Sequence, residues 1–317
     1  MNKALQIFKD WMLPIAIVLG ISLYLFYYFT PFLKPWGATL HEVASEGQRL
    51  VIALLLFFQF VQVSPHDLKL HRWHLWALLL QVFGFIGFAA LSAVFSDGPA
   101  RILMECAMLC LICPTASAAG VITDRLGGSL AATVTYLVII NITGTFLIPL
   151  VIPLVNPSAR MGFWTYVGHI ALKVFPVLIL PGLLAWLIRY TTHKLQRALM
   201  RWASNSFYIW GIGLTLAMVL STRALLLSGM GLWSVAGIVV VSVIACFFQF
   251  WAGHRASKDR VDNLTAGQAL GQKNTGFLIW LGYNYMTPVT SVAGGLYAIW
   301  QNLYNSWELY QKEREKL

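Results

Sequence analysis

The chain has 317 residues, 58% of them apolar and 11% charged, with a formal net charge of +10. Ordinary globular chains carry about 45–50% apolar and about 25% charged residues, which excludes a soluble protein, a disordered chain, a collagen and a disulfide scaffold. In an apolar chain the Lys and Arg excess reads as the cytoplasmic charge of a membrane protein rather than a nucleic-acid footprint.

A membrane helix needs roughly 17–25 predominantly apolar residues. Ten such runs follow in order: 11–32, 47–64, 73–96, 100–122, 129–155, 162–188, 205–226, 230–253, 263–285 and 287–309. They are continuous rather than alternating, so an outer-membrane barrel is excluded. The expected fold is an all-α polytopic membrane protein with ten transmembrane helices in the lipid bilayer. The first run lacks a small-residue cleavage site and is expected to persist as a helix rather than act as a cleaved signal. Trp11, Trp36, Trp73, Trp164 and Trp251 sit near run ends, where they read as interface anchors. The connections are short, leaving no room for a soluble domain.

With the N-terminus inside, fifteen Lys and Arg fall on the inner side, among them Lys3, Lys9, Arg125, Arg255 and Lys316. Lys34, Arg49, Arg101, Arg160 and Arg223 fall outside. Both termini are therefore expected in the cytoplasm. Short loops and the lack of a transit peptide favour a bacterial inner membrane.

Cys106, Cys110, Cys113 and Cys246 all lie inside apolar runs. The first three share a helical face, a spacing that resembles a metal site, but buried cysteine is by default a small packing residue. The seven histidines are scattered. Neither a metal motif nor a nucleophile–base pair is visible, so an enzyme is not expected and no cofactor is implied. Nor is there a ring of pore-lining charge that would point to a channel.

Ten spans divide into residues 1–155 and 156–317. A five-span unit repeated once must be inverted across the membrane, a common transporter architecture. The fourth span of each half looks interrupted. The first break reads Cys113-Pro114-Thr115-Ala116-Ser117-Ala118-Ala119-Gly120, and the second Gly267-Gln268-Ala269-Leu270-Gly271-Gln272-Lys273-Asn274-Thr275-Gly276. Breaks at corresponding positions of two halves point to a transporter's binding site. Thr115, Ser117, Gln268, Gln272, Lys273 and Asn274 are accordingly candidates.

Three ionisable residues lie inside runs: Glu105, Lys173 and Lys273. A charge in hydrocarbon costs several kcal/mol, so each needs a reason. Lys273 is about ten residues from either end of its run, roughly 15 Å along a helix, too far for its stem to reach water. It must face a polar cavity or a partner, and the structural alternative is a lysine paired with Glu105 or with a backbone carbonyl. Beside the start of a half-helix it would make an anion site. Glu105 is close to a run end, and Lys173 could still reach outward along its stem. For both, structural and functional readings stay open. Gln81 and Asn141 read as helix-to-helix hydrogen-bonding residues.

Several stretches together resemble the bile acid:sodium symporter family over nearly the whole chain. They are Ser64-Pro65-His66-Asp67-Leu68, the Gln81 region, Cys113-Pro114 with its small polar run, and Pro149-Leu150-Val151-Ile152-Pro153. Gly271-Gln272-Lys273-Asn274-Thr275-Gly276 and Tyr297-Ala298-Ile299-Trp300-Gln301-Asn302 complete the set. The resemblance implies two inverted five-helix repeats, with spans 4 and 9 broken and crossing. Spans 1, 2, 6 and 7 would form a panel domain, and spans 3–5 and 8–10 a core domain. Family members carry organic anions with two sodium ions.

The departures fall on the sodium site. The family's ninth-span Glu falls on Ala269 and its Gln on Lys273, while the following Asn is kept as Asn274. The family's Ser-Asn pair falls on Ala119-Gly120. Gln81 is kept, and a fifth-span hydroxyl falls on Thr133. A hard cation needs several oxygen ligands, and here the carboxylate is replaced by alanine beside an ammonium. Two sodium ions against one glutamate carry +1, as does one protonated lysine beside alanine. The expectation is a secondary carrier of a small organic anion, sodium-independent, with Lys273 as a tethered cation. A lysine that released its proton would make transport proton-coupled. The alternative is a transport-inactive membrane sensor that binds the anion. Bile acids, keto acids, pantoate-like acids and sulfated sterols are all open as substrates, and no nucleic-acid partner is expected.

Overall fold

The computed structural model describes residues 11–95, 97–203 and 206–314. Lys3, Lys9 and Lys316 of the charge count lie outside the described residues, as do Ser96 and Asn205, which end the third expected span and open the seventh. The described residues form fourteen α-helices and no strand beyond one isolated bridge. The first half contains α1 (Met12–Phe29), α2 (Gly37–Gln62), α3 (Arg72–Val94), α4 (Pro99–Ile112), α5 (Ala119–Leu126) and α6 (Leu130–Val155). The second contains α7 (Phe163–Leu178), α8 (Leu180–Thr191), α9 (His193–Ala203), α10 (Ser206–Leu227) and α11 (Leu232–Gly253), then α12 (Arg260–Gly271), α13 (Thr275–Tyr285) and α14 (Ser291–Arg314).

Helices dominate because in an apolar medium each backbone N–H and C=O must find its partner within its own segment. Seven helical segments are long and apolar enough to cross a membrane: Met12–Phe29, Pro31–Gln62, Arg72–Val94, Leu130–Val155, Phe163–Thr191, Ser206–Leu227 and Leu232–Gly253. Their outer faces carry Phe26, Phe83, Leu172, Leu232 and Trp233, all well exposed. So much outward apolar surface fits lipid rather than water. The protein is an all-α, polytopic membrane protein.

The helices depart from the expected runs in four places. The second run was expected from residue 47, but α2 begins at Gly37 after a 3-10 stretch, Pro31–Trp36. Glu42, Glu46 and Arg49 depress the local hydropathy, yet Glu46 and Arg49 pair three residues apart on the helix. The sixth run is two helices: α7 ends at Leu178, and Pro181 sits in the first turn of α8. A proline there suits a new helix and interrupts an old one. The expected loop after it holds α9, whose Lys194, Arg197 and Arg201 alternate with apolar residues in the manner of an interfacial helix. The last run, expected at 287–309, is a helix only from Ser291 and continues to Arg314.

Packing separates two groups of helices. Gly20 of α1 lies against Thr215 and Met218 of α10, and α10 also packs on α2. Ala16, Ala44, Leu214 and Ala217 form the small core between these helices. A larger core, including Phe85, Met108, Tyr136, Phe250 and Tyr297, joins α3, α4, α6, α11 and α14. Phe60 of α2 meets Trp186 of α8 edge-on, and Phe60, like Ile170 and Val174 of α7 and Ala185 of α8, belongs to the larger core. The groups meet where α2 and α10 face α13 and α14.

Candidate functional site

Two helix breaks meet at the centre of this second group. Proline has no N–H and disfavours helical geometry in the residue before it. Cys113, preceding Pro114, accordingly has ψ 128°, and α4 stops at Ile112. The other break has no proline. There Asn274 caps α13, its side chain accepting from the Phe277 N–H at 3.1 Å. Each break satisfies the other. Ala116 N–H donates to Gln272 O at 2.9 Å, and Asn274 N–H donates to Pro114 O at 2.8 Å. Thr115 and Lys273 thus form a one-residue antiparallel bridge. Thr115 Oγ1 donates to Ala269 O at 2.6 Å, and Lys273 N–H donates to Gln301 Oε1 at 2.8 Å.

Side chains from neighbouring helices saturate the carbonyls at the ends of α4 and α12. Gln249 Nε2 donates to Cys110 O at 3.1 Å, and Tyr297 Oη to Gly271 O at 2.8 Å. Gln81 Nε2 donates to Leu111 O, while its own Oε1 accepts from the Tyr136 hydroxyl. Lys273 Nζ donates to the same Leu111 carbonyl at 3.5 Å. The Lys273 amino group is fully buried, among the thiols of Cys110, Cys113 and Cys246. Among the described residues no carboxylate lies within ion-pair distance of it. Its partner is the negative end of a helix dipole.

On the other side of the crossing the half-helices α5 and α13 begin, and their N-terminal ends lie against a cavity of about 80 Å³. Ser117, Gln272, Lys273, Asn274, Gln301 and Asn302 line its polar wall. Ile52, Leu55, Trp210 and Leu214 of α2 and α10 line the apolar one. Gln48 also lines it, fully buried, and its Oε1 has no hydrogen-bond partner. The cavity has room for several water-sized groups. Two helix N-termini and a cation, with no carboxylate in the lining, suit an anionic head group. The apolar wall suits an attached hydrocarbon body.

The structure brings most of the expected site residues together. Thr115, Ser117, Gln272, Lys273 and Asn274 sit at the crossing or its cavity. Gln268 lies one turn before Gln272 and accepts its side-chain amide. Gln81 stands behind the Lys273 amino group on the shared carbonyl. Thr133 is not at the crossing. Its hydroxyl contacts Thr123 Oγ1 at 3.2 Å and Ser129 O at 3.0 Å, in a cluster completed by Thr265. The open readings of the other polar residues resolve as follows. Glu105 does not meet Lys273. It is fully buried, accepting from Arg101 Nε at 3.2 Å and Thr287 N–H at 3.3 Å, so it ties α4 to the turn before α14. Lys173 is part-exposed, 3.8 Å from Glu46. Asn141 makes neither of the helix-to-helix bonds expected of it, since both side-chain polar atoms are buried without a partner.

Sequence reasoning missed Gln48, Gln249, Tyr136 and Tyr297. Gln249 and Gln48 are polar residues in or beside apolar runs, the same signal that flagged Gln81. Tyr136 and Tyr297 carry no such signal, because an intramembrane tyrosine reads as apolar packing until its hydroxyl partner is known. Compared with known proteins, the chain matches no family model and no curated protein sequence.

Proposed function

We propose that the protein is a secondary carrier of a small organic anion that works by alternating access, without sodium, using Lys273 as a built-in cation. The carrying observation is that ammonium: fully buried, free of any described carboxylate, and held by the last turn of a broken helix where a second broken helix crosses it. In this reading the substrate's charged head binds at the N-termini of α5 and α13, while Lys273 supplies behind the crossing the charge that coupling ions would otherwise bring.

The paired breaks support two inverted five-helix repeats over residues 1–155 and 156–317, with ten spans in all. α4–α5 and α12–α13 would be the fourth and ninth spans, as the resemblance to the bile acid:sodium symporter family implies. The packing of α10 on α1 and α2, and of α8 on α2, supports a panel of α1, α2, α7–α8 and α10, as the resemblance implies, that rocks against a core of the remaining spans and opens the cavity to each side in turn. The Lys and Arg distribution supports cytoplasmic termini, and the short loops favour a bacterial inner membrane.

The test is uptake of labelled bile acids, keto acids and pantoate into proteoliposomes, with and without a sodium gradient. Uptake that is indifferent to sodium and lost in Lys273→Gln is the expected result. Uptake that requires sodium, or is unchanged in Lys273→Gln, overturns the proposal. Ala269 in place of the family's carboxylate also fits a transport-inactive sensor, and binding without accumulation would favour that reading.

A further inference from the structure

Beyond the crossing, an open cleft of about 620 Å³ lies between the ends of α5, α11, α12 and α14. At its wall His254 Nε2 is 2.7 Å from Glu308 Oε1. The other carboxylate oxygen, Oε2, accepts from Gln268 Nε2, and Gln268 Oε1 in turn accepts from Gln272 Nε2. Gln272 lines the anion cavity. Glu308, Gln268 and Gln272 therefore form a hydrogen-bonded file to the candidate site, and His254 Nε2 stands beside its outer end within ion-pair distance but without a hydrogen bond.

The file has a direction. An ionised carboxylate can only accept hydrogen bonds. With Glu308 ionised, Gln268 must point its NH2 at Glu308 and its oxygen at Gln272. Gln272 must then point its NH2 at Gln268, leaving its own carbonyl oxygen for the cavity. An oxygen there repels an anion. A protonated Glu308 reverses every step. Its carboxyl turns by half a turn and donates to the Gln268 oxygen, both amides flip, and Gln272 presents NH2 to the cavity. The net change is one proton gained at Glu308 and one acceptor exchanged for a donor at the anion site, with no covalent bond made or broken in either amide.

Resting on the carrier reading above, we propose that Glu308 is a proton-binding site whose occupancy is linked, through Gln268 and Gln272, to anion binding, so that the anion moves with a proton. His254 is the group that delivers it. The imidazole takes a proton from cleft water on Nδ1 and, once its ring turns Nε2–H onto Glu308 Oε1 2.7 Å away, passes that one on. Tyr304 of α14 contacts the imidazole ring and hydrogen-bonds Glu308, while Lys258, Arg260 of α12 and Lys312 of α14 are the other charged groups lining the cleft. Arg255 of α11 is turned away onto the Trp251 ring. From α5 the cleft wall is Leu126, with Gly127 just after it, and neither titrates.

The experiment is calorimetric binding of taurocholate, pantoate and pyruvate to the full chain in nanodiscs from pH 5.5 to 8.5. The sulfonate of taurocholate stays charged throughout, so any pH dependence belongs to the protein. In the wild type the affinity should rise by up to about tenfold per pH unit as pH falls, the limit for one linked proton. In Glu308→Gln it should be flat, because a neutral amide at that position no longer reports pH. Gln268→Leu keeps the His254–Glu308 pair but cuts the file, and its affinity should be flat as well. Anion binding that is independent of pH in the wild type, or that titrates in either variant as in the wild type, overturns the relay and leaves the carrier reading standing. Failure of every probe to bind at any pH overturns both. A carboxylic-acid band in the infrared spectrum that grows on anion binding to the wild type and is absent in Glu308→Gln is the expected independent readout, and no such band would count against the relay.

Discussion

Lys273 defines the energetics of the site. An ion taken from water into a protein interior pays an effective penalty of several kcal/mol, and a single 3.5 Å bond to Leu111 O repays only part of it. A lysine held charged at such a place would destabilise the fold. Lys273→Met, of similar length and without charge, is therefore expected to raise stability by about 1–4 kcal/mol while abolishing anion uptake. Thermal melts and proteoliposome uptake on the same preparation check the two halves. The paired change Ala269→Glu with Lys273→Gln restores a carboxylate and an amide at the crossing, and should make anion binding depend on sodium, read by calorimetry in sodium and in choline buffers. Behind the lysine, Tyr136→Phe leaves the buried Gln81 Oε1 without its donor. The expected loss is about 1–3 kcal/mol of stability, measured by denaturant-induced unfolding.

The two broken spans reach one geometry by different means. α4 is stopped by Pro114, whereas α13 is started by the Asn274 cap. The cap is the more informative target, since its residue also lines the cavity. Asn274→Ala should cost about 0.5–2 kcal/mol, the usual value of a lost N-cap. Asn274→Asp keeps the cap, because a carboxylate accepts from the Phe277 N–H and suits a helix N-terminus. It should hold the melting temperature yet weaken anion binding at least tenfold by charge repulsion, and a binding titration beside a melt separates these effects. Equally sharp is the contact of α11 with α12. A Cβ on Gly253 would lie 2.6 Å from the Gly267 Cα and press on the Ala266 carbonyl, both rigid backbone. Gly253→Ala should thus destabilise the protein by about 1–3 kcal/mol, the usual range for overpacking, as followed by thermal unfolding.

Across the whole molecule, the proposed carrier would need the group containing α2 and α10 to move against the crossing. The cavity sits on that seam, between Ile52 and Leu214 on one side and Asn274 and Gly276 on the other. A Cβ on Gly276 would lie 3.6 Å from Ile52 Cγ1. Cysteines introduced as Ile52→Cys and Gly276→Cys should therefore cross-link the two groups under mild oxidation. Uptake should stop on oxidation and return on reduction, while anion binding at the exposed side persists or is trapped. Full uptake by the cross-linked protein would mean the two groups do not move apart. The four native cysteines are all buried, which keeps them from competing.

Local chemistry and hydropathy carried much of this to the sequence level. Membrane character, the position of nearly every helix and the two interruptions follow from apolar run length, Pro114 and the small polar residues around Lys273, because a bilayer demands long runs and makes each exception conspicuous. Lys273 was legible for the same reason: an unexplained charge at mid-run has few places to go. What the sequence could not decide was partnership. Whether Lys273 met Glu105 or a carbonyl depended on which helix end lay beside it, and the fold placed Leu111 O there and gave Glu105 to Arg101 and Thr287. Thr133, aligned by resemblance alone, packed into a threonine cluster away from the crossing. Gln249, Tyr297 and the contacts from His254 through Glu308 to Gln268 pair residues, on three helices or at their ends (α11, α12 and α14), that are not neighbours in sequence. Hydrogen-bond pairing over such distances has no periodicity to read, since it is set by how helices cross in space rather than by the order of residues along any one of them.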